Sequence, residues 1–140
     1  MTTGDEKTLN TSRQERYLKA VELLDSAHSY TRLGAVHALV ALADEYLADD
    51  SLSEEEKHTE GQRIVDVLCA YIRSPFELVF RYDELSQDKP SSHGSYRENR
   101  QEFSVHRAEL LAEAKVRQRA LQEIHRRLRH FPQGDRRNYV

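Results

Sequence analysis

Tryptophan is absent from this chain, and cysteine occurs once, at position 69. A disulfide framework is therefore excluded, and a reducing setting, the cytoplasm, is expected. Proline and glycine are scarce, 3 and 5 among 140 residues; this favours long helices over sheets and tight turns. The longest apolar run, residues 38–43, reads ALVALA. That is far short of the roughly 20 apolar residues needed to span a membrane. The opening MTTGDEKTLNTS has no apolar centre, so neither a signal peptide nor an anchor is expected. Phosphate-binding glycine loops, HExxH motifs and nucleophile elbows are also missing. No cofactor and no enzymatic activity are expected.

What is present is a polar, charge-rich chain. Charged residues make up 32%, hydrophobics 38%, and the net charge is −3. Such a balance gives no global argument for nucleic acid. The length fits one domain with its own core. Residues 16–47, RYLKAVELLDSAHSYTRLGAVHALVALADEYL, read as two amphipathic helices joined by a polar turn.

Helix starts are suggested by a Ser followed three residues later by Glu, the capping-box spacing. It occurs at Ser12/Glu15, Ser53/Glu56, Ser74/Glu77 and Ser95/Glu98. The periodicity predicts a helix over 13–25 with Tyr17, Ala20, Val21 and Leu24 on one face. A second, over 30–48, carries Leu33, Val36, Leu39, Val40, Ala43 and Leu47 at three- and four-residue steps. It is expected to be central, with Gly34 allowing close packing against the first helix. A third, over 54–73, buries Ile64, Val65, Leu68, Tyr71 and Ile72. Ser74-Pro75 ends it, because the residue before proline disfavours helical geometry. Segment 75–85, PFELVFRYDEL, reads as a short helix or as extended chain. Residues 86–95 form a loop. A last helix runs from about 96 to 130, with a stripe of Phe103, Leu110, Ala114, Leu121, Ile124, Leu128 and Phe131 that also takes in His106 and Arg117. The expected fold is all-α: four to five helices in HEAT-like hairpins, ending in a long helix. The expected layout is a disordered leader at 1–11, one helical domain at 12–131 and a flexible tail at 132–140.

These blocks resemble a known pattern. Residues Arg32, Leu33, Gly34, Ala35, Val36, Ala38 and Leu39, followed by Val65, Asp66, Val67, Leu68, Cys69, Ala70, Tyr71 and Arg73, resemble the HEAT-like helical region that precedes pentapeptide repeats in actinobacterial proteins. The resemblance covers about 15–80. His37 stands where those proteins have an aromatic, and no pentapeptide repeat follows in this chain. The resemblance implies a stand-alone relative or part of a longer protein, and it carries no catalytic residues.

Four features are candidates for function. Aromatics Phe76, Phe80 and Tyr82 in the ambiguous segment are candidate partner-binding residues for another protein or a second copy, such as a homodimer. Residues 115–137 hold eight cations against Glu123 and Asp135. Of these, Lys115, Arg119, Arg126 and Arg129 are the candidate nucleic-acid contacts, the alternative function, because such a strip can neutralise phosphates. Residues 44–66 hold nine acids against Lys57 and Arg63, so acidic and basic zones can meet within the fold or between chains. His37 reads as a partly buried packing residue or as a pH-sensitive contact. Metal binding is not expected: Glu55-x-x-His58 has a ligand-like spacing, but no second copy accompanies it. Cys69, inside VDVLCAYI, reads as a small buried hydrophobe.

Overall fold

The computed structural model describes residues 3–128. The expected end of the last helix near 130, with Arg129, Phe131 and the tail at 132–140, lies outside them. The described chain is all-α. Helix α1 spans Thr3–Leu23, α2 Ser29–Ala48, α3 Glu54–Arg73, α4 Tyr82–Leu85 and α5 Arg100–Leu128; a 3₁₀ helix, Glu77–Arg81, precedes α4. None of the described helices is long and apolar enough to cross a membrane.

Helix α2 is central. It packs against α1, α3 and α5, and Ala35, Val36 and Leu39 are fully enclosed. The main core adds Ala20 and Leu24 from α1, Ile64 and Leu68 from α3, and Val116 and Ala120 from α5. A second, smaller core joins Leu85, Tyr96, Phe103 and Leu110, with Phe76 and Leu78 packed against it. Helix α5 serves both cores, which fixes the 75–99 segment to the three-helix body.

Several local expectations are corrected. Helix α1 begins at Thr3, where a disordered leader to residue 11 was expected. A charged contact fastens the middle of this helix to the end of α2. Arg13, only 7% exposed, stacks over the Tyr46 ring at 5.0 Å and donates to Asp49 at 2.7 Å. Of the four capping boxes, only Ser53/Glu56 caps a helix in both directions. Ser12 lies inside α1. Ser74 instead ends α3, its hydroxyl donating to the Tyr71 carbonyl. Helix α5 starts at Arg100, not near 96, because Arg97 and Glu98 take left-handed φ values of 45° and 66°. The cap is Asn99, whose Oδ1 accepts from the Glu102 N–H at 3.1 Å.

Gly34 does not mediate helix packing: a Cβ built there meets nothing within 4 Å. His37 is exposed rather than partly buried, and Cys69 is half-buried. On α5, Ala114 and Leu121 are exposed. Beyond Leu110 the buried face turns to Glu113, Val116, Ala120 and Glu123. Counting only apolar residues steps over two buried glutamates.

Candidate functional site

Buried charge organises the middle of the molecule. Glu113 is 2% exposed and faces three elements at once. Arg32 of α2 donates through Nε to Glu113 Oε2 at 2.8 Å. Arg117, one turn along α5, donates through Nε to Oε1 at 2.8 Å. The Tyr71 hydroxyl of α3 donates to the same Oε1. Burial, together with the hydrogen bond to Glu113, pushes the Tyr71 phenol up to about 12. The guanidiniums reach further: Arg32 donates to the Ser26 carbonyl at 2.7 Å and Arg117 to the Ile72 carbonyl at 2.9 Å. The clamp therefore joins the α1–α2 turn, α2, the end of α3 and α5. Its members are each satisfied, so it reads as architecture rather than as a reactive centre. Sequence reasoning missed it. Arg117 falling on an apolar stripe was the one available signal.

The aromatic segment sits beside this clamp. Ser74 closes α3, Pro75 redirects the chain, and the 3₁₀ helix lays Val79 and Phe80 on the surface. Phe80 is 86% exposed, Tyr82 58% and Val79 53%. A cleft of about 300 Å³ runs between this turn and α5, lined by Pro75, Phe76, Val79, Phe80, Leu110 and Ala114 together with Glu113 and Arg117. Arg117 lies 5.8 Å from the Phe76 ring centroid. Of the three candidate aromatics, Phe76 and Phe80 share the cleft; Tyr82 lies outside its lining. Leu111 and Leu121, each 54% exposed, extend apolar surface along α5.

The basic strip is partly consumed by the fold. Arg117 belongs to the clamp. Arg127 makes a two-pronged pair with Asp44, through Nε at 2.9 Å and Nη2 at 2.7 Å, and also donates to Glu123 at 2.6 Å. The Arg127 hydrogen bond, with Arg126 and Arg119 nearby, holds Glu123 below the usual carboxylate range. Lys115, Arg119 and Arg126 remain exposed; Arg119 and Arg126 approach Glu123 only to 3.6 and 3.5 Å. Arg129 lies outside the described residues. Among the described residues, the acidic zone meets the basic one at Asp44–Arg127. Its other strong partners come from α1: Arg16 pairs with Glu45 and Arg13 with Asp49.

A second, larger cleft of about 570 Å³ lies between α1 and the start of α3. Its wall carries Lys7 and Arg13 against Asp49, Glu55, Glu56 and Glu60. Among the described residues, no three His, Cys, Asp or Glu side chains stand together as metal ligands. No protein-family model, curated protein or solved structure matches this chain.

Proposed function

We propose that the protein is a cytoplasmic, non-catalytic helical module that binds another protein chain, a second copy or a different partner, through the cleft between its 3₁₀ turn and α5. One observation carries this reading. Phe80 is held 86% exposed on a short turn whose neighbours Phe76, Val79, Leu110 and Ala114 form an apolar cleft. Contiguous apolar surface of this kind marks interaction sites, and a large aromatic beside a pocket is the usual energetic centre of an interface. The buried groups near the cleft are mutually paired, which favours binding over chemistry. The block resemblance to non-catalytic helical regions points the same way.

The test places a photo-crosslinking phenylalanine analogue at position 80 in the host cell. Crosslinks to a discrete protein, lost when Val79 and Ala114 become Asp, support the reading. A chain that folds normally yet crosslinks to no protein refutes it. Nucleic-acid binding by Lys115, Arg119 and Arg126 is the second reading, favoured by their exposure on α5. With Arg117 and Arg127 engaged in the fold, about three phosphate contacts remain among the described residues, and these contribute about −3 to the log–log salt slope.

A further inference from the structure

Many exposed charges make no ion pair among the described residues, Glu15, Asp25, Asp83 and Lys89 among them; on two helices such charges recur at matching spacing, with one exposed cation, Arg73, beyond the acidic pair on α3. On α3, Glu55 and Asp66 are exposed and make no ion pair among the described residues. On α5, Lys115 is in the same position, while Arg119 and Arg126 reach only the edge of a carboxylate that Arg127 already holds. Glu55 and Asp66 are separated by 11 residues, as are Lys115 and Arg126. Eleven residues make about three helical turns and about 16 Å of rise, so each pair lies on one side of its helix at matching separation.

The two strips cannot meet within one chain. Tyr71 and Arg117 mark where α3 and α5 face each other, through Glu113 and the Ile72 carbonyl. At about 100° per residue, Asp66 and Glu55 lie about 140° and 160° around α3 from Tyr71. Lys115 and Arg126 lie about 160° and 180° around α5 from Arg117. Both strips therefore point away from the α3–α5 contact.

We infer that these strips dock two copies of this chain head to tail, α3 of one antiparallel to α5 of the next. Lys115 then faces Asp66, Arg126 faces Glu55, and Arg119 faces Gln62, which already donates to Asp66 at 2.8 Å. Different surfaces meet on the two copies, so the contact is heterologous and propagates beyond a dimer. It is built from exposed charges, so it is weak and strongly screened by salt. This surface is independent of the Phe80 cleft.

Sedimentation velocity at 20 and 500 mM NaCl tests it, using wild type, Glu55→Lys/Asp66→Lys, Lys115→Glu/Arg119→Glu/Arg126→Glu and Phe80→Asp, each checked for helicity. At 20 mM, wild type and Phe80→Asp should grow past dimer with concentration. At 500 mM the association constant should fall by about tenfold or more. Each charge-reversed variant alone should stay monomeric, and an equimolar mixture of the two should regain assembly, because their reversed strips are complementary. The inference is overturned if wild type is monomeric at 20 mM and high concentration, if growth stops at a dimer, or if the mixture of folded variants stays monomeric. Loss of assembly in Phe80→Asp also overturns it, since that assigns the contact to the cleft. Added duplex DNA bound through the α5 strip, with wild type alone monomeric, assigns the strip to nucleic acid instead.

Discussion

Removing the carboxylate of Glu113 should be the most damaging single polar substitution in the described chain. In Glu113→Ala, Arg32 and Arg117 lose the acceptor between them, and the Tyr71 hydroxyl loses its partner. The two guanidiniums sit with side chains only 13% and 23% exposed, so water compensates poorly. Breaking a buried pair by deleting one partner costs about 3–5 kcal/mol. For a chain of this length the unfolding entropy is about 0.3 kcal/mol/K, which makes the expected loss about 10–17 °C in Tm. Circular dichroism melts and urea titrations at pH 7 would measure it. Glu113→Gln keeps shape and one acceptor, and should fall between wild type and alanine. The fourfold change Arg32→Met, Tyr71→Phe, Glu113→Leu, Arg117→Met removes the charges and the hydroxyl that pairs with them together. It should recover much of the loss, since well-packed apolar replacements of buried ion groups are often neutral or stabilising. A Glu113→Ala cost below about 1 kcal/mol would refute the reasoning, because it would mean that water or a neighbouring group already satisfies the arginines.

Three further outcomes follow from named contacts. Gly34→Ala should stabilise by about 0.5–1 kcal/mol in a urea titration, because the site is helical and open around a new Cβ; destabilisation would mean that Gly34 packs closely after all. Ser53→Ala should cost about 1 kcal/mol in the same assay by removing the α3 cap, whereas Ser95→Ala should cost markedly less, since Asn99 caps α5; equal costs would contradict the placement of that cap. Asp49, held down to about 2 by the Ser51 hydroxyl and then by Arg13, stabilises the fold above its unfolded value of 3.8 and loses that contribution as the pH falls through about 2. Asp49→Asn should therefore be less stable than wild type at pH 7, with the gap closing between pH 3.8 and 2; a gap that persists at pH 2 would contradict it.

The sequence is legible where one physical signal acts alone. Helices α2 and α3 follow apolar periodicity, and their observed bounds, Ser29–Ala48 and Glu54–Arg73, lie within a residue of those expected. The box at Ser53 is correct because an acidic first turn, a true N-cap and an apolar face coincide there. The same spacing at Ser95 fails because two left-handed residues intervene before the helix begins. Helix α1 begins ahead of its expected start because residues 3–12 hold a single large apolar side chain, Leu9, and so show no apolar period. The cleft was half legible. Clustered aromatics flagged segment 75–85, but which of them share a wall depends on where α5 crosses.

Helix α5 shows why charge counting by segment was the weaker guide. A tally over 115–137 treats its arginines alike, yet the fold divides them by their position around the helix. Arg117 turns toward α3 and Arg127 toward α2, where each neutralises a carboxylate. Lys115, Arg119 and Arg126 turn outward. The inward set determines how firmly α5 is seated, and the outward set is left for a partner. This division fixes how the two sets should differ in experiment. Reversing Arg127 should disturb stability first, because Asp44 and Glu123 both lose their cation. Reversing Lys115 should leave the melt unchanged while altering any salt-dependent association. Loss of stability and association together on reversing Lys115 would contradict the separation on which the α5 charge readings rest.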